Sequence, residues 1–544
     1  MPSKKAPTAV DEPAPVDQTT GHSSGDPASR ARVWTLVVTC LSLLLVMSSM
    51  VGLNTALGDI ALQTSASQSQ LTWIVDSYTL VLACLLLPAG AIGDRYGRRG
   101  ALVFGLVVFA IASVAPIFWA DPATLITARG AAGVGAAFVM PATLSLITTA
   151  YPKEERTKAV GIWAGVSGAG GIIGMLGSGL LLHFWSWPSI FWAFAAAAIA
   201  LVLLALTIAS SKEAEPKPLD WPGAVLIGAA VGTFVFGILE APARGWTDPL
   251  VYGGLITGVV LAAAFAAVEL RRTHPLLDVR LFGNVNFATG SATVTVLFLA
   301  LFGFFYLIMQ YVQLVMGYSA IQTAIAISPL AVPMLILSAT SFWYVPRLGL
   351  RLVILVGLLL ISAGFGCLRV LEIGSPYWHL AWPLLVLSCG IGLSVAPTTA
   401  AIMVSVPDDK QGVASAVNDA AREIGAALGI ALAGSILATR YTETLTPHLT
   451  GLPAPVQSAA ARSLGEALGA AEQLGPAGTA LVDASRTAFL RAMESSLLTL
   501  AIVIGVGGVL IAAWAPGRDG SQLAVVRRLA SRGATSRADE PPSD

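Results

Sequence analysis

Three carboxylates lie inside long apolar stretches of the chain, where a charge is costly unless it has a partner or a function. They are Asp76, Asp419 and Glu423. The last two are four residues apart, so a helix places them on one face. A carboxylate in a low-dielectric cavity can hold a proton or a positively charged molecule, and it can exchange one for the other. All three are therefore candidates for proton coupling. The alternative is a structural ion pair, for example between Glu423 and Arg422 or an arginine of another helix.

The sequence contains no other constellation that indicates chemistry. A GxxxxGK[ST] phosphate-binding loop is absent, so ATP is not the expected energy source. No hydrolase, haem or metal pattern occurs, and the five histidines are scattered. Four cysteines lie in apolar stretches without a CxxC pair, which predicts small buried residues: Cys40, Cys84, Cys367 and Cys389. We therefore expect a protein that is not an enzyme and that uses no cofactor or metal.

The elements that must position these carboxylates are membrane-spanning helices. Of the 544 residues, 55% are hydrophobic and 11% are charged, whereas soluble domains carry about 25% charged residues. The formal net charge is zero, so the chain has no net positive charge that would attract nucleic acid. Fourteen apolar stretches between residues 33 and 514 are long enough to cross a bilayer. They lack the alternation of apolar and polar residues that is typical of the strands of a membrane barrel. The predicted fold class is an all-α integral membrane protein.

The distribution of basic residues predicts how these helices are oriented. Fourteen Lys and Arg residues lie in connectors on one side of the membrane, and six lie on the other side. The basic side is cytoplasmic by the positive-inside rule, and an even number of spans puts both termini there. Residues 1–32 are predicted to be a disordered cytoplasmic tail and residues 516–544 a second cytoplasmic tail. Residues 439–488 are the long external loop, in which 456–474 are predicted to form short amphipathic helices at the membrane surface.

The connector after the second stretch combines glycines with one acid and three arginines, in the order Gly90-Ala-Ile-Gly-Asp-Arg-Tyr-Gly-Arg-Arg99. It resembles motif A, G-x-L-x-D-R-x-G-R-[RK], of the major facilitator superfamily of transporters. In such a connector the carboxylate can meet the N-terminus of a neighbouring helix, and the arginines can pair with acids across an interface. The resemblance implies a cytoplasmic gate formed by Gly90, Gly93, Asp94, Arg95, Gly97, Arg98 and Arg99.

Two further stretches are similar to motifs of the same superfamily. The fourth stretch resembles motif B and carries Arg129 and Gly133 at motif positions; a structural salt bridge is the alternative role for this arginine. The fifth stretch resembles motif C, the antiporter signature, in which small residues let helices approach closely. Met175 replaces the proline of that motif and Ser178 replaces its first paired glycine. The motif glycines that remain are Gly170, Gly174 and Gly179.

The order of these motifs is similar to that of the fourteen-span drug:proton antiporters of the EmrB/QacA type. The connector that begins at His274-Pro275 looks like the one after the two extra central spans of that family. The resemblance implies the major facilitator fold, with two pseudo-symmetric six-helix bundles at 33–210 and 276–515. The linker 211–275 would hold the two extra spans.

The first stretch departs from the family pattern. Members carry an aspartate there, in a pattern like L-D-x-T-I-V-N-V-A-L-P, and this acid is a common proton or cation site. The present chain has Ser49 in its place and Gly58 in place of the proline, although Asn54 is kept. Both the coupling residue and the preference for organic cations are therefore open. The candidates for lining a substrate cavity are Asn54, Trp73, Tyr78, Gln310 and Asn418.

The resemblance implies a proton-driven exporter of amphiphilic drugs or toxic small molecules, located in the plasma membrane and working by alternating access. Its partners would be the small substrate, protons and membrane lipids, and it would act as a monomer. The missing acid at Ser49 favours a second hypothesis, a narrow exporter of one metabolite such as an antibiotic, siderophore or lipid precursor. The sequence also leaves open an importer and a non-transporting membrane sensor.

Overall fold

The structure is a computed structural model that describes residues 27–64, 66, 68–211, 219–518 and 522. Every regular element among these residues is helical. Fourteen of the helical segments are long and apolar enough to cross a membrane, which confirms the predicted all-α fold and the number of spans. Most of the two predicted tails and residues 212–218 of the linker lie outside the described residues.

The first half of the chain contains six spans and one short helix. Its helices are α1 (Pro27–Gly52), α2 (Leu57–Thr64), α3 (Gln68–Tyr96), α4 (Arg98–Phe118), α5 (Pro122–Ala150), α6 (Lys153–Phe184) and α7 (Pro188–Ala205). Asp121 caps α5, because its carboxylate accepts a hydrogen bond from the backbone N–H of Thr124 at 3.0 Å. Gly97 separates α3 from α4 with a φ of 119°, a conformation that glycine adopts without strain.

The two extra spans form a hairpin of α8 (Trp221–Arg244) and α9 (Pro249–Glu269). An aspartate precedes each helix, and a proline occupies its first or second position, a pattern typical of helix starts. Asp220 and Asp248 accept hydrogen bonds from the backbone N–H groups of Gly223 at 3.0 Å and Leu250 at 2.8 Å. The hairpin therefore starts and turns where its sequence provides caps.

The second half contains the other six spans. Its helices are α10 (Val285–Gln310), α11 (Ala320–Ile327), α12 (Ala331–Ala339), α13 (Ser341–Leu348), α14 (Leu350–Leu368), α15 (Tyr377–Val404), α16 (Gln411–Leu445), α17 (Ala454–Arg462), α18 (Leu464–Gln473) and α19 (Thr479–Trp514). Single 3₁₀ or π turns occupy Leu53–Ala56, Val279–Gly283, Tyr311–Val315, Ser328–Leu330, Asp408–Lys410, Thr446–His448 and Gly475–Gly478.

The loop predicted at 439–488 is more helical than the sequence indicates. Helices α16 and α19 continue beyond their apolar segments, and α17 and α18 lie between their ends. The short helices pack against the protein through Leu464 and Ala467, which are buried. The hydroxyl group of Tyr441 donates a hydrogen bond to the backbone carbonyl of Ala460 at 3.1 Å. The expected short helices are present, and they form a compact cap on α16 and α19.

The two halves meet along two seams. In the first half α3, α4 and α5 pack together and α1 packs on α6; in the second half α10 packs on α16, and α14 packs on α15 and α19. One seam is formed by α3 and α5 against α16, and the other by α6 against α12 and α15. Helix α8 contacts both α3 and α16 at the first seam, whereas α9 lies outside, with 17% of its most apolar segment buried.

In each half, the connector after the second span binds the chain that leaves the sixth span. The backbone N–H of Arg98 donates to the carbonyl of Ser211 at 2.9 Å in the first half. In the second half the backbone N–H of Arg351 donates to the carbonyl of Pro516 at 3.3 Å, and its Nε donates to that of Ala515 at 2.9 Å. This repeated contact agrees with a pseudo-symmetric pair of bundles.

Candidate functional site

The acid of the motif A-like connector is buried between the two halves. Asp94, near the end of α3, is 4% exposed. Its Oδ1 accepts a hydrogen bond from the backbone N–H of Gly412 at 2.9 Å, and its Oδ2 accepts one from Val413 at 3.1 Å. Both donors belong to the first turn of α16, where backbone N–H groups have no partner within the helix. The carboxylate therefore binds the positive end of a helix in the opposite half.

Two arginines of the first half extend this contact. Arg98 donates through Nε to Oδ1 of Asp94 at 2.8 Å and through Nη2 to the backbone carbonyl of Asp408 at 3.0 Å. Arg156, on α6, donates through Nη1 to the carboxylate of Asp408 at 2.7 Å. This hydrogen bond lowers the pKa of Asp408 below its ordinary value. These four residues and the N-terminus of α16 join the two halves, and we name them the terminal gate for the role that the resemblance implies.

The remaining residues of the motif A-like connector have separate contacts. A Cβ on Gly90 would lie 2.5 Å from the carbonyl oxygen of Gly412, so only glycine permits this approach of α3 and α16. Arg99 donates to the carbonyl of Ile208 at 3.1 Å, on the chain that leaves α7. Gly93, Gly97 and Arg95 lie within the first half, next to Ala101, Ser210 and the ring of Tyr96.

The arginine of the motif B-like stretch is buried next to the residue that replaces the family acid. Arg129 is 2% exposed, and its Nη1 donates to the hydroxyl group of Ser49 at 2.8 Å. Its Nε donates to the carbonyl of Ile74 at 3.2 Å, and its guanidinium lies 4.2 Å from the ring centre of Tyr78. Gly133 allows α5 to pack on α3, because a Cβ there would lie 2.6 Å from the carbonyl oxygen of Tyr78.

Three charged residues of α16 form a cluster where the halves meet, and we name Asp419, Arg422 and Glu423 the charge cluster. Each is at most 2% exposed. Arg422 donates through Nη1 to the hydroxyl group of Ser167 on α6 at 2.5 Å, and it lies 3.9 Å from Asp419. Its guanidinium also packs 4.7 Å from the ring of Trp163 on α6. The cluster is therefore attached to the first half through α6.

The charge cluster contains polar atoms that lack a hydrogen-bond partner within the described part of the chain. They are Oδ2 of Asp419, Oε2 of Glu423, and Nε and Nη2 of Arg422. Unpaired polar atoms at such depth are costly. Two acids and one base give a net charge of −1 when both acids are ionised and zero when one is protonated. The cluster can therefore take up and release a proton, or accept a hydrogen bond or positive charge from a small molecule.

The motif C-like glycines bring α6 close to helices of both halves. A Cβ on Gly174 would lie 2.5 Å from the Cα of Ser48, and one on Gly170 would lie 2.6 Å from the Cβ of Met47. Gly179 faces α11 of the other half, with Ile321 at 3.6 Å. The small residues thus allow α6 to pack closely on α1 of its own half and to contact α11 of the other half.

Asp76 lies away from the charge cluster. It is one helical turn from Trp73, whose ring stacks on that of Phe236 of α8 with centres 6.0 Å apart. Glu240 lies one helical turn after Phe236 on the same helix. The three acids that the sequence singles out therefore form two sites, one on α16 between the halves and one between α3 and the extra hairpin.

The other candidates for a substrate cavity are dispersed. Asn418 is buried beside the charge cluster, where its amide donates to Asp419 at 3.2 Å and accepts from Thr399 at 3.2 Å. Tyr78 is buried; its hydroxyl group donates to the carbonyl of Val46 at 3.1 Å, and its ring faces the guanidinium of Arg129. Gln310 donates to the carbonyl of Tyr306 at 2.9 Å, and Asn54 is exposed at the end of the first span.

Sequence reasoning missed Asp408, Ser167, Phe236 and Glu240 as residues of these sites. Asp408 follows Pro407 in the connector before α16, and no local pattern marks it as the partner of an arginine. Glu240 and Phe236 lie in an extra span, outside the two bundles, and Ser167 lacks a distinguishing pattern. Their roles depend on neighbours that are distant in the chain.

Comparison with known proteins identifies the class of this architecture. The family model described as Major Facilitator Superfamily matches residues 39–430. The chain is 34% identical over 432 residues to the multidrug resistance protein Stp of Mycobacterium tuberculosis, covering 79% of this chain and 80% of that protein. It is 32% identical to the methyl viologen resistance protein SmvA of Salmonella typhimurium, covering 87% and 97%. It is also 32% identical to the multidrug efflux pump LfrA of Mycolicibacterium smegmatis, covering 88% and 96%.

Solved structures share the fold at lower sequence identity. A bacterial homologue of the human lysosomal transporter Spinster, in an inward-facing and unoccupied conformation, matches with a TM-score of 0.57 at 17% identity, covering 89% of this chain and 97% of that one. The human organic anion transporter MFSD10 matches with a TM-score of 0.56 at 14% identity, covering 89% and 100%. With its two six-span halves, its extra hairpin and its relatives among efflux proteins, this chain belongs to the major facilitator superfamily of membrane transporters.

Proposed function

We propose that the protein is a proton-coupled exporter of amphiphilic drugs or other toxic small molecules. The relatives named above are multidrug and methyl viologen resistance proteins, and the chain covers at least four fifths of each. The protein works by alternating access in the plasma membrane as a monomer, with both termini in the cytoplasm, and the proton gradient is its energy source. It carries out no enzymatic reaction and needs no cofactor.

The charge cluster on α16 is the observation that carries this proposal. Glu423 is 2% exposed and lies beside Arg422, which reaches across the interface to Ser167. Proton binding to Glu423 changes the net charge of the cluster from −1 to zero. The unprotonated cluster attracts a hydrogen-bond donor or a positive group of a substrate, and the protonated cluster does not. Proton and substrate therefore compete for one site, as an antiporter requires.

The terminal gate links this exchange to access. When it is closed, Asp94 binds the N-terminus of α16, the helix that carries Glu423. Opening of the cytoplasmic side must break these hydrogen bonds and the ion pair between Arg156 and Asp408. Because the gate and the coupling acid share one helix, movement of α16 connects proton binding with the side to which the cavity is open.

Glu423→Gln tests the coupling role. The variant keeps a polar side chain of the same size but cannot exchange a proton. In proteoliposomes with a pH gradient, we expect it to lose uphill transport of a fluorescent amphiphile. Substrate–substrate exchange without a gradient should persist but require a higher substrate concentration, because the neutral side chain attracts the substrate less. The retained exchange shows that the variant is folded. Glu494→Gln, which removes a surface acid paired with Arg369, is the control and should leave both activities unchanged. Uphill transport by Glu423→Gln equal to that of the unmodified protein refutes the coupling role.

A narrow exporter of one metabolite is the second candidate, and the surroundings of Arg129 favour it. This buried guanidinium is bonded to Ser49 and a backbone carbonyl, so the first half presents no acid at the position where related antiporters hold one. Transport assays on a panel of unrelated amphiphiles separate the two candidates. Export of several unrelated compounds supports the multidrug function, and export of none by protein shown to be in the membrane supports the narrow one.

A further inference from the structure

The base of the extra hairpin contains two buried carboxylates that neither the terminal gate nor the charge cluster uses. Asp220 precedes α8 and is 8% exposed, and Glu269 is the last residue of α9 and is 2% exposed. Asp220 comes shortly after Ser211, whose carbonyl is bound by the backbone of Arg98. Because α8 and α9 cross the membrane and return, both acids lie on the side of the terminal gate. We name these two residues the acid pair.

Each member of the acid pair has one oxygen that is bonded to the backbone. Oδ1 of Asp220 accepts a hydrogen bond from the N–H of Gly223 at 3.0 Å, in the first turn of α8. Oε2 of Glu269 accepts one from the N–H of Leu277 at 3.4 Å, in the connector that leads to the second half. The backbone contacts therefore fix one side of each carboxylate and leave its other oxygen for another partner.

These other two oxygens face one small space. They are Oδ2 of Asp220 and Oε1 of Glu269, and both are buried without a hydrogen-bond partner in the described part of the chain. A Cβ on Gly223 would lie 2.3 Å from Oε1 of Glu269 and 3.2 Å from Oδ2 of Asp220. Both oxygens are therefore within reach of a single point, which stays free because residue 223 is a glycine.

One cation approaches the acid pair, and it does so from the solvent side. Nε of Arg272 lies 3.6 Å from Oδ2 of Asp220, and half of the arginine side chain is exposed. Glu269 forms no ion pair with any residue that the structure describes. Two ionised acids and one arginine give a net charge of −1 at a buried site, and such a charge is costly. Binding of one proton makes the net charge zero.

The elements around the acid pair carry further charged groups, and none of those described forms an ion pair with Asp220 or Glu269. They are Arg271, His274, Asp278 and Arg280 on the connector, Asp94, Arg95 and Arg98 at the junction of α3 and α4, and Lys410 before α16. Asp94 and Arg98 bind each other. Arg280 donates to the carbonyl of Leu270 at 3.2 Å, and Arg271 and His274 are exposed. Each acid of the pair therefore faces the other acid and Arg272.

We propose that the acid pair binds one proton and shares it between Oδ2 of Asp220 and Oε1 of Glu269. Two carboxylates that face one small buried space repel each other when both are ionised, whereas a single proton turns them into a donor and an acceptor. The proton comes from the aqueous phase on the side of the terminal gate. The site lies apart from Glu423, and it goes beyond the proposed export function without depending on it.

The shared proton fastens the base of the extra hairpin. With the proton bound, an O–H···O hydrogen bond joins the start of α8 to the end of α9, and Glu269 also holds the connector through Leu277, which is buried. Without the proton, two like charges separate these three segments. Helix α8 packs on α3 and α16 at the first seam. The pH on the side of the terminal gate therefore sets how firmly the hairpin is held between the halves.

Infrared difference spectra of the full chain in lipid nanodiscs test for the proton directly. When the pH is raised, we expect the unmodified protein to lose a C=O stretching band of a protonated carboxyl group. Glu269→Gln and Asp220→Asn should each lack this change, because the new amide donates a hydrogen bond to the remaining acid and keeps it ionised. Glu154→Gln, which removes an exposed acid on the same side, is the control and should keep the band and its response to pH.

A spin label at Thr273, which is exposed in the connector, tests the fastening role. Its mobility should rise in the unmodified protein over the pH range in which the band disappears, and it should stay low at every pH in Glu269→Gln. The same band loss in Glu269→Gln and Asp220→Asn as in the unmodified protein overturns the proton site. Mobility that follows the concentration of Na⁺ or Mg²⁺ at constant pH, without a carboxyl band, overturns it in favour of a metal cation. Loss of the band without any change in mobility refutes the fastening. None of these measurements requires transport, so their outcome is independent of the export function.

Discussion

Asp94→Asn should shift the balance between the closed and open forms of the terminal gate. The carboxylate accepts from Gly412, Val413 and Arg98. A hydrogen bond to a charged group contributes about 1.5–3 kcal/mol and a neutral one about 0.5–1.5 kcal/mol. An asparagine keeps one oxygen acceptor, and each hydrogen bond that this oxygen retains is weaker by about 1 kcal/mol because the acceptor is no longer charged. The NH₂ group of the asparagine faces a backbone N–H, which is left without an acceptor. That unsatisfied donor costs about 1–3 kcal/mol more.

Only the contacts with Gly412 and Val413 cross between the halves, so the expected loss is about 1 kcal/mol at the first and about 1–3 kcal/mol at the second. The sum of about 2–4 kcal/mol corresponds to a population shift of roughly 30- to 10³-fold towards the open gate. Spin labels at Glu154 on α6 and Val404 on α15, which are exposed, report the distance between the halves at this end by double electron–electron resonance. Asp94→Asn should lengthen the main distance and impair transport without reducing membrane insertion. Glu155→Gln is the matched control, because Glu155 pairs with Arg32 within the first half. A distance distribution and a transport rate equal to those of the unmodified protein would refute this account of the gate.

Two further predictions concern the gate and the helix packing. The pKa of Asp408 is lowered in the folded protein by Arg156, so this ion pair is fully present above the ordinary aspartate pKa of about 3.9 and is lost as the pH falls through the lowered value. The contribution of this ion pair to the gate should therefore stay constant between pH 8 and about pH 5, so the difference in gate distance between Asp408→Asn and the unmodified protein should be the same at both pH values. Asp408→Asn should lengthen the distance less than Asp94→Asn does, because an exposed ion pair contributes at most about 1 kcal/mol. Gly174→Val should lower the thermal unfolding temperature in detergent by the equivalent of about 1–3 kcal/mol, since a side chain there meets the backbone of Ser48. Gly177→Val, where a Cβ has no neighbour within 4 Å, should leave that temperature unchanged; equal effects of the two variants would contradict the packing argument.

The number of spans and the family could be predicted because both depend on local patterns. Apolar stretches of about 20 residues predict spans without knowledge of their neighbours. The motif A-like connector is contiguous, so Asp94 and Arg98 could be singled out from spacing alone. Their partner Asp408 could not, because it is 310 residues away from Arg98 in the chain and is met only when the halves pack together.

The roles of the three intramembrane acids required the fold. Asp419 and Glu423 share a face of one helix, and this could be predicted from their spacing. The separation of Asp76 from them depends on how α8 packs on α3, and the sequence carries no local sign of that contact. The same applies to Arg129, whose hydrogen bond to Ser49 joins residues of two different spans.

The contact between the motif A-like connector and the chain that leaves α7 determines where additional spans can be inserted into such a protein. The backbone of Arg98 binds Ser211, so the chain that leaves the sixth span is fixed to the first bundle at the first residue of the linker. The second bundle ends in the same way, where Arg351 binds Pro516. Segments added after either point leave the six-helix unit before them intact. The two extra spans occupy the first of these insertion points, which explains how a hairpin can join the molecule without rearranging either bundle.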